Sequence, residues 1–269
     1  MKIKINKFNF SNRYKKRIIL ISDIHYYHSK NIKILDEVLE NIKKLNPDYI
    51  CIAGDIIDDK CIKNKELLIN WFKRLSNVCK IFVGIGNHDF NYKGKITEEY
   101  DEELFKRIDS IKNVHVLNNK TYTDSRINFI GITAPFSYYD LKEDSDELIY
   151  HINKKFKYLD DNFNIMIFHS PSRIADKKVL EKIKCHKNID LILCGHMHGG
   201  LNFNFMNKFL KGRGLITPTN KIFGKYCNGL YRVNDTRIVI STGITKLAKS
   251  HHIPFLNHFY DSEIVVIDM

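Results

Sequence analysis

Seven side chains in this sequence carry the donors that bind divalent cations: carboxylates at Asp23 and Asp55, imidazoles at His25, His169, His196 and His198, and a side-chain amide at Asn87. They fall in five short polar clusters: SDIH at Ser22 to His25, GDIID at Gly54 to Asp58, GNHD at Gly86 to Asp89, HSP at His169 to Pro171, and GHMH at Gly195 to His198. Singly, each has an ordinary explanation, since Asp caps helices and Gly-Asp or Gly-Asn marks turns. A purely structural account gives no reason for metal-binding residue types to recur in all five. Seven donors exceed the needs of one tetrahedral zinc and suit two cations in larger shells, provided that Asp55 bridges them and waters complete the set. Two ions roughly 3.5 to 4 Å apart clamp the attacking and leaving oxygens of an in-line phosphoryl displacement. Two such ions, two carboxylates and a bridging hydroxide leave a net charge of about +1, which favours an anionic phosphate over a neutral ester. Mixed imidazole and carboxylate donors suit Mn²⁺, Fe²⁺, Zn²⁺ or Ni²⁺ better than Mg²⁺ or Ca²⁺.

Elements must bring these clusters together. Each follows an apolar run of strand character, RIILI, YICIA, KIFVGI, FNIMIF and DLILC, and INFIGIT adds a further strand. In an open α/β sheet the carboxyl ends of the strands converge on one crevice, so clusters separated in sequence share one site. Between the first two strands, Leu35, Val38, Leu39, Ile42 and Leu45 recur at helical spacing, with Pro47 as a stop. Helical faces also carry Leu104, Ile108 and Ile111, then Leu148, Ile152, Phe156 and Leu159. Ile3, Ile5, Phe8 and Phe10 predict a half-exposed strand at the front. The expected fold is α/β, with residues 1–269 as one domain. After His198 the periodicity weakens, and residues 199–234 read as a loop excursion on the substrate side before strands return at TRIVIST and EIVVID. In that excursion Lys208, Lys211, Arg213, Lys221 and Lys225 alternate with Phe203, Phe205, Phe209, Phe223 and Tyr226, either as a wall gripping an anionic, partly apolar substrate or as an ordinary surface loop.

Lys and Arg number 43 against 31 Asp and Glu, a formal charge of +12. The excess is mostly lysine spread over solvated faces, and no nucleic-acid motif accompanies it. The six cysteines show no CxxC spacing, and Cys51 and Cys194 sit in apolar runs as small buried hydrophobes. The first residues are basic without an apolar stretch of signal-peptide length, and no run approaches the roughly 18 residues that span a bilayer. The expectation is a cytoplasmic protein, with room for a peripheral membrane contact and with no indication of oligomeric state.

The order DIH, GDIID, GNHD, a later His169 and GHMH resembles the calcineurin-like metallophosphoesterase superfamily. With Gly199 and Gly200 after GHMH, the resemblance is closest to its bacterial single-domain phosphohydrolases. It implies a four-layer sandwich of two mixed β-sheets flanked by helices, with the metals at the upper edge. It also implies a first ion on Asp23, His25, Asp55 and His198, and a second on Asp55, Asn87, His169 and His196, with Mn²⁺ placed first. His88 would then contact phosphate and protonate the leaving oxygen. Asp89 either orients His88 or caps the turn, and Asp58 partners a ligand from behind. The ending KSHHIPFLNHFYDSEI departs from the usual Arg and Pro before the last strand, so His251, His252 and His258 either reach substrate or are exposed loop residues.

The implied activity is hydrolysis of phosphodiesters, phosphomonoesters or pyrophosphates by a metal-bridging hydroxide, on a small phosphorylated substrate of nucleotide or lipid-linked type. Protein Ser/Thr phosphatases of this superfamily carry Arg after GDxxD and Glu after GNH, where this chain has Asp59 and Asp89. A nuclease would add a DNA-engaging domain or a dimerisation bundle. The rival from another class is a catalytically silent metal-binding scaffold, which would be expected to lose ligands or the GNHD histidine.

Overall fold

The computed structural model describes residues 3–10, 14–27, 32–93, 95–140, 144–156, 159–200, 213–216, 222–245 and 261–269. The first half of the chain gives β1 (Ile3–Asn9), β2 (Arg17–Ile21), α1 (Ile32–Leu45), β3 (Tyr49–Ala53), α2 (Lys65–Leu75), β4 (Lys80–Gly84), the short pair β5 (Asn91–Tyr92) and β6 (Lys95–Ile96), α3 (Glu102–Asp109) and β7 (Val114–Val116). The second half gives β8 (Thr121–Asp124), β9 (Ile127–Ile132), α4 (Phe136–Asp140), α5 (Ser145–Lys155), β10 (Phe163–Phe168), α6 (Pro171–Ile174), α7 (Lys177–Leu180) and β11 (Leu191–Cys194). It closes with β12 (Gly214–Ile216), β13 (Ile222–Gly224), β14 (Gly229–Val233), β15 (Thr236–Ile240) and β16 (Ser262–Asp268).

Twelve of these strands form two six-stranded sheets, in the orders β1-β16-β2-β3-β4-β7 and β14-β15-β11-β10-β9-β8. Both are mixed. In the first, β2, β3, β4 and β7 run parallel while β16 is antiparallel to β2; in the second, β9, β10, β11 and β15 run parallel between antiparallel β8 and β14. The alternation of each strand decides the layering. Ile18, Leu20, Tyr49, Cys51 and Phe82 pack against Phe129, Ile165, Ile167, Leu191 and Leu193 between the sheets. Ile19, Ile21, Ile50, Ile52 and Ile81 turn outward to Leu35, Leu39, Leu68, Trp71, Phe72 and Leu104 on the helices. Met166, Phe168, Ile192 and Cys194 do the same against Leu148, Ile152 and Ile174. Strands covered on both faces must be apolar throughout, which is why their sequences run as unbroken Ile, Leu and Val. Phe82 and Phe129 stack across the central layer with centroids 3.7 Å apart.

The helical stripe from Leu35 forms α1, with Leu35, Val38, Leu39 and Ile42 buried. Asp101 caps α3 by accepting from the Leu104 N–H at 3.1 Å, and Asp144 caps α5 at the Asp146 and Glu147 N–H groups. Helix α2 stands where no helix was expected. Its buried Leu68, Ile69, Trp71, Phe72 and Leu75 share one face, and the Trp71 Nε1–H donates to Leu35 O at 2.8 Å. Within residues 199–234, β12 pairs with β13, and β14 pairs with β15 as an edge strand from Gly229 to Val233. No helix among the described residues is long and apolar enough to cross a membrane.

Candidate metal centre

Strands β2, β3 and β4 stop in register, with Ile21 opposite Ile52 and Ala53 opposite Gly84. The clusters holding Asp23, Asp55 and Asn87 therefore leave the sheet side by side. His169 follows β10 directly, and His196 follows β11 after Gly195. Loop-to-loop hydrogen bonds draw the edges together: Asp23 N to Gly54 O at 3.1 Å, His25 N to Asp55 O at 3.0 Å, and Gly195 N to His169 O at 2.9 Å. The His196 N–H donates to Asp23 Oδ1 at 3.0 Å, which joins the two sheets.

Such tight exits strain the backbone. Asp23, His25, Asp55, His196 and His198 all adopt left-handed φ, between 46° and 70°. Asp and His tolerate this region better than most residues, yet each sparsely populated conformation costs of order 1–3 kcal/mol and persists only where the surroundings enforce it. Glycine is required where loops touch. A Cβ on Gly86 would fall 2.2 Å from Asp55 Oδ1, and one on Gly54 would fall 2.7 Å from Gly86 N.

Two groups of potential ligand atoms result, Asp23–His25–His198 and Asp55–His169–His196, the atoms of each lying within 4.8 Å of one another. A third group, His25–Asp55–His88, overlaps both. Asp55 Oδ2 lies 3.0 Å from His169 Nε2 and 3.6 Å from His25 Nε2; Asp23 Oδ1 lies 3.6 Å from His198 Nε2. Both nitrogens of His25, Asp55 Oδ2, Asn87 Oδ1 and His169 Nε2 are buried without a hydrogen bond. A buried polar atom left so costs roughly 1–3 kcal/mol, and more when charged. Divalent cations would satisfy His25 Nε2, Asp55 Oδ2, Asn87 Oδ1 and His169 Nε2 at once, and donors of this type fit them. The opposite edges of two rings are already committed to backbone carbonyls, His169 Nδ1 to Ala53 O at 2.6 Å and His198 Nδ1 to Thr245 O at 3.1 Å. That leaves each Nε2 facing the cluster, as a ligating imidazole requires.

Without metal, protons do the balancing. Burial opposes charge on Asp55, but the imidazoles of His169, His88 and His25 outweigh it and hold the carboxyl well below its usual range. Burial likewise opposes a charged His169 and a charged His88. Asp55 overrides it for His169, raising the ring to about 10, and Asp55 with Asp58 raises His88 to about 9.

His88 enters through a single 3₁₀ turn over His88–Phe90. Its Nδ1 lies 3.3 Å from Asp58 Oδ1 and 2.8 Å from Asn91 Nδ2. Asp58 Oδ1 is also 3.4 Å from His25 Nδ1, so one carboxylate backs both rings. Asp89 was open to two roles, orienting His88 or capping the turn, and its hydrogen bonds are those of a cap: its carboxylate accepts from the backbone N–H groups of Asp55, Ile56, Ile57 and Gly86 at 2.7 to 3.1 Å. Burial and the charge of Asp55 raise the Asp89 carboxyl to about 7, against the pull of those amides. Asn91 went unnoticed in sequence, although a polar residue three positions after His88 in a tight turn was a usable signal. Thr245 was missed because it meets His198 through its backbone carbonyl. His251, His252, His258 and most of the basic-aromatic residues of the excursion lie outside the described residues.

A family model described as calcineurin-like phosphoesterase matches residues 16–200, which hold every cluster above. The chain belongs to this family. A metallophosphoesterase of Helicobacter pylori described as uncharacterised is 26% identical over 229 residues, 84% of this chain and 54% of that one. A probable cyclic nucleotide phosphodiesterase of Synechococcus is 26% identical over 195 residues, 67% of this chain and 66% of that one. A UDP-2,3-diacylglucosamine pyrophosphatase of Chlamydia trachomatis is 31% identical over 81 residues, 30% of this chain and 25% of that one. This calcineurin-like phosphoesterase thus spans about half the length of the Helicobacter relative it matches.

Proposed function

We propose that this metallophosphoesterase is a dinuclear phosphohydrolase, with one cation held by Asp23, His25, Asp55 and His198 and the other by Asp55, Asn87, His169 and His196. The observation that carries the reading is the position of Asp55, whose Oδ2 faces an imidazole of each group at 3.6 and 3.0 Å. Bound divalent ions would neutralise phosphate charge and lower the pKa of water at the site.

The remaining work falls to the chain's own residues. His88 is part-exposed, with 17% of its side-chain surface accessible, so its ring stands at the edge of the site where a substrate would enter. His88 Nδ1 faces the Asp58 carboxylate at 3.3 Å and the Asp58 carbonyl at 3.2 Å, so the charged ring keeps one proton there and presents the other on Nε2, the atom that can give it to a leaving oxygen. Such general acid catalysis contributes roughly 10² to 10⁴ in rate. The Asp89 clamp on the Asp55–Ile57 amides holds the shared carboxylate in its strained turn. Mn²⁺ is the proposed ion, with Fe²⁺, Zn²⁺ and Ni²⁺ as alternatives that the donor types also accept.

A phosphodiester is the first substrate class, because the relative named for cyclic nucleotides aligns over two thirds of both chains. A lipid-linked or nucleotide-sugar pyrophosphate is second, supported over a shorter stretch. The test is hydrolysis of bis(p-nitrophenyl) phosphate, p-nitrophenyl phosphate and a UDP-sugar by metal-stripped protein reloaded with Mn²⁺. Turnover that returns with metal, disappears in Asp55→Ala and falls about 10²-fold or more in His88→Ala is expected. Two ions bound with no turnover on any of the three would favour the silent scaffold.

A further inference from the structure

The segment after β15, Ser241–Thr245, was read from sequence only as the end of a strand, yet it meets the Asp23–His25 loop at every residue from Ser22 to Ile24. The Ile244 N–H donates to Ser22 O and the Thr245 N–H to Asp23 O, each at 2.9 Å, and the Thr245 hydroxyl donates to Ile24 O at 2.8 Å. The Thr245 carbonyl in turn faces His198 Nδ1 at 3.1 Å. Gly243, at φ 89°, lies so close that a Cβ there would fall 2.8 Å from the Asp23 Cβ. One segment therefore touches Asp23, His198 and Ile24, the residue before His25.

That segment is fastened from behind by a buried acid. Glu263, on β16, is 3% exposed, beside the apolar run Ile264, Val265, Val266 and Ile267 of a strand that ends in Asp268. One of its carboxylate oxygens accepts from the Asn6 amide on β1, and the other accepts from the Thr242 N–H at 2.6 Å. The Glu263 N–H returns a bond to Gly243 O at 3.0 Å, and the Ser262 hydroxyl donates to Ile244 O at 2.6 Å. No lysine or arginine among the described residues forms an ion pair with Glu263. Burying a carboxylate among neutral donors costs free energy that a surface location would avoid, so its place at this one loop calls for a reason.

We propose that Glu263, held by Asn6, is a positioning residue that sets the Ser241–Thr245 segment and through it the geometry of the Asp23–His25–His198 half of the centre alone; this rests on the dinuclear reading above. Its action runs through the Thr242 N–H to the Thr245 carbonyl, and from there to the tautomer and tilt of His198. Partners of ligands at this remove typically change metal affinity by 10- to 100-fold.

The experiment is calorimetric titration of Mn²⁺ into chelator-treated protein, with metal content measured after gel filtration. Two ions are expected in the wild-type protein. In Glu263→Ala one of the two binding events weakens 10- to 100-fold and the other stays within about twofold, matching the event lost in His198→Ala and not the one lost in His169→Ala. Glu263→Gln keeps an acceptor for Thr242 once the Asn6 amide turns, and it restores affinity to within a few-fold. Thr245→Val, which removes only the Thr245 hydroxyl bond, weakens the same event by a smaller factor and decides the matter should Glu263→Ala fail to fold. Equal weakening of both events, or none in a folded variant, overturns the proposal. Fewer than two ions in the wild type sinks the dinuclear reading and this one together.

Discussion

Asp55 and His169 are held by parts of the chain close to them in the sheets, whereas Asp23 and His198 depend on a segment that arrives more than two hundred residues after Asp23. Around Asp55 the fastening is compact: Asp89 gathers four amides, Gly54 packs on Gly86, and His169 is anchored to Ala53. Around Asp23 the support is relayed through Thr245, Gly243 and finally Glu263. The two anchored rings differ in burial too, the His169 side chain being 0% and the His198 side chain 12% exposed. A centre built in this way can lose one half without the other, and experiments can separate them.

The largest expected effect erases the distinction. Asp55→Ala removes the carboxylate common to both halves, so both ions should be lost; with several kcal/mol of electrostatic stabilisation gone, turnover should drop on the order of 10³-fold. Metal analysis beside kinetics checks this, and retention of two ions would break the bridging assignment.

Asp89→Ala should act on the Asp55 side only, through stability. Four buried amides lose a charged acceptor, and urea unfolding should show a loss of roughly 3 to 5 kcal/mol. A loss under about 1 kcal/mol would mean that water replaces the clamp.

Metal-free protein should also respond to pH through this side. The His169 ring has its pKa raised from 6.5 to about 10 in the folded chain, so the stability it contributes is complete below pH 6.5 and is lost as pH rises towards 10. Asp89, raised from 3.8 to about 7, adds a loss in the same direction as pH rises through 7. Thermal melts of the stripped protein should therefore fall from pH 6.5 to 10. Metal-loaded protein should resist that decline, because metal replaces the proton on His169 and binds more tightly as pH rises. A flat profile for the stripped protein would remove His169 from the account.

The smallest effect belongs to neither half. Asn91→Ala loses one hydrogen bond to the His88 ring, worth about 1 kcal/mol, so kcat should fall roughly fivefold with both ions retained. An unchanged kcat would leave the orientation of His88 to Asp58 alone.

Ligand chemistry was legible in the chain because residue type determines which atoms can bind a cation, and the strands were legible because burial on both faces demands unbroken apolar runs. The family followed from the order of those motifs. Helix α2 was less so, since the single stripe it buries is interrupted by Asn70, Lys73 and Arg74 on its outer face. Asp89 could be read either as orienting His88 or as capping a turn, and only the fold, by aiming four N–H groups at its oxygens, decided between them. Glu263 did leave a trace, an acid next to an unbroken apolar run, but its meaning depended on which loop lay against it. Backbone partners such as Thr245 O leave no trace at all, because every residue carries the same carbonyl and only tertiary packing selects the one that meets His198.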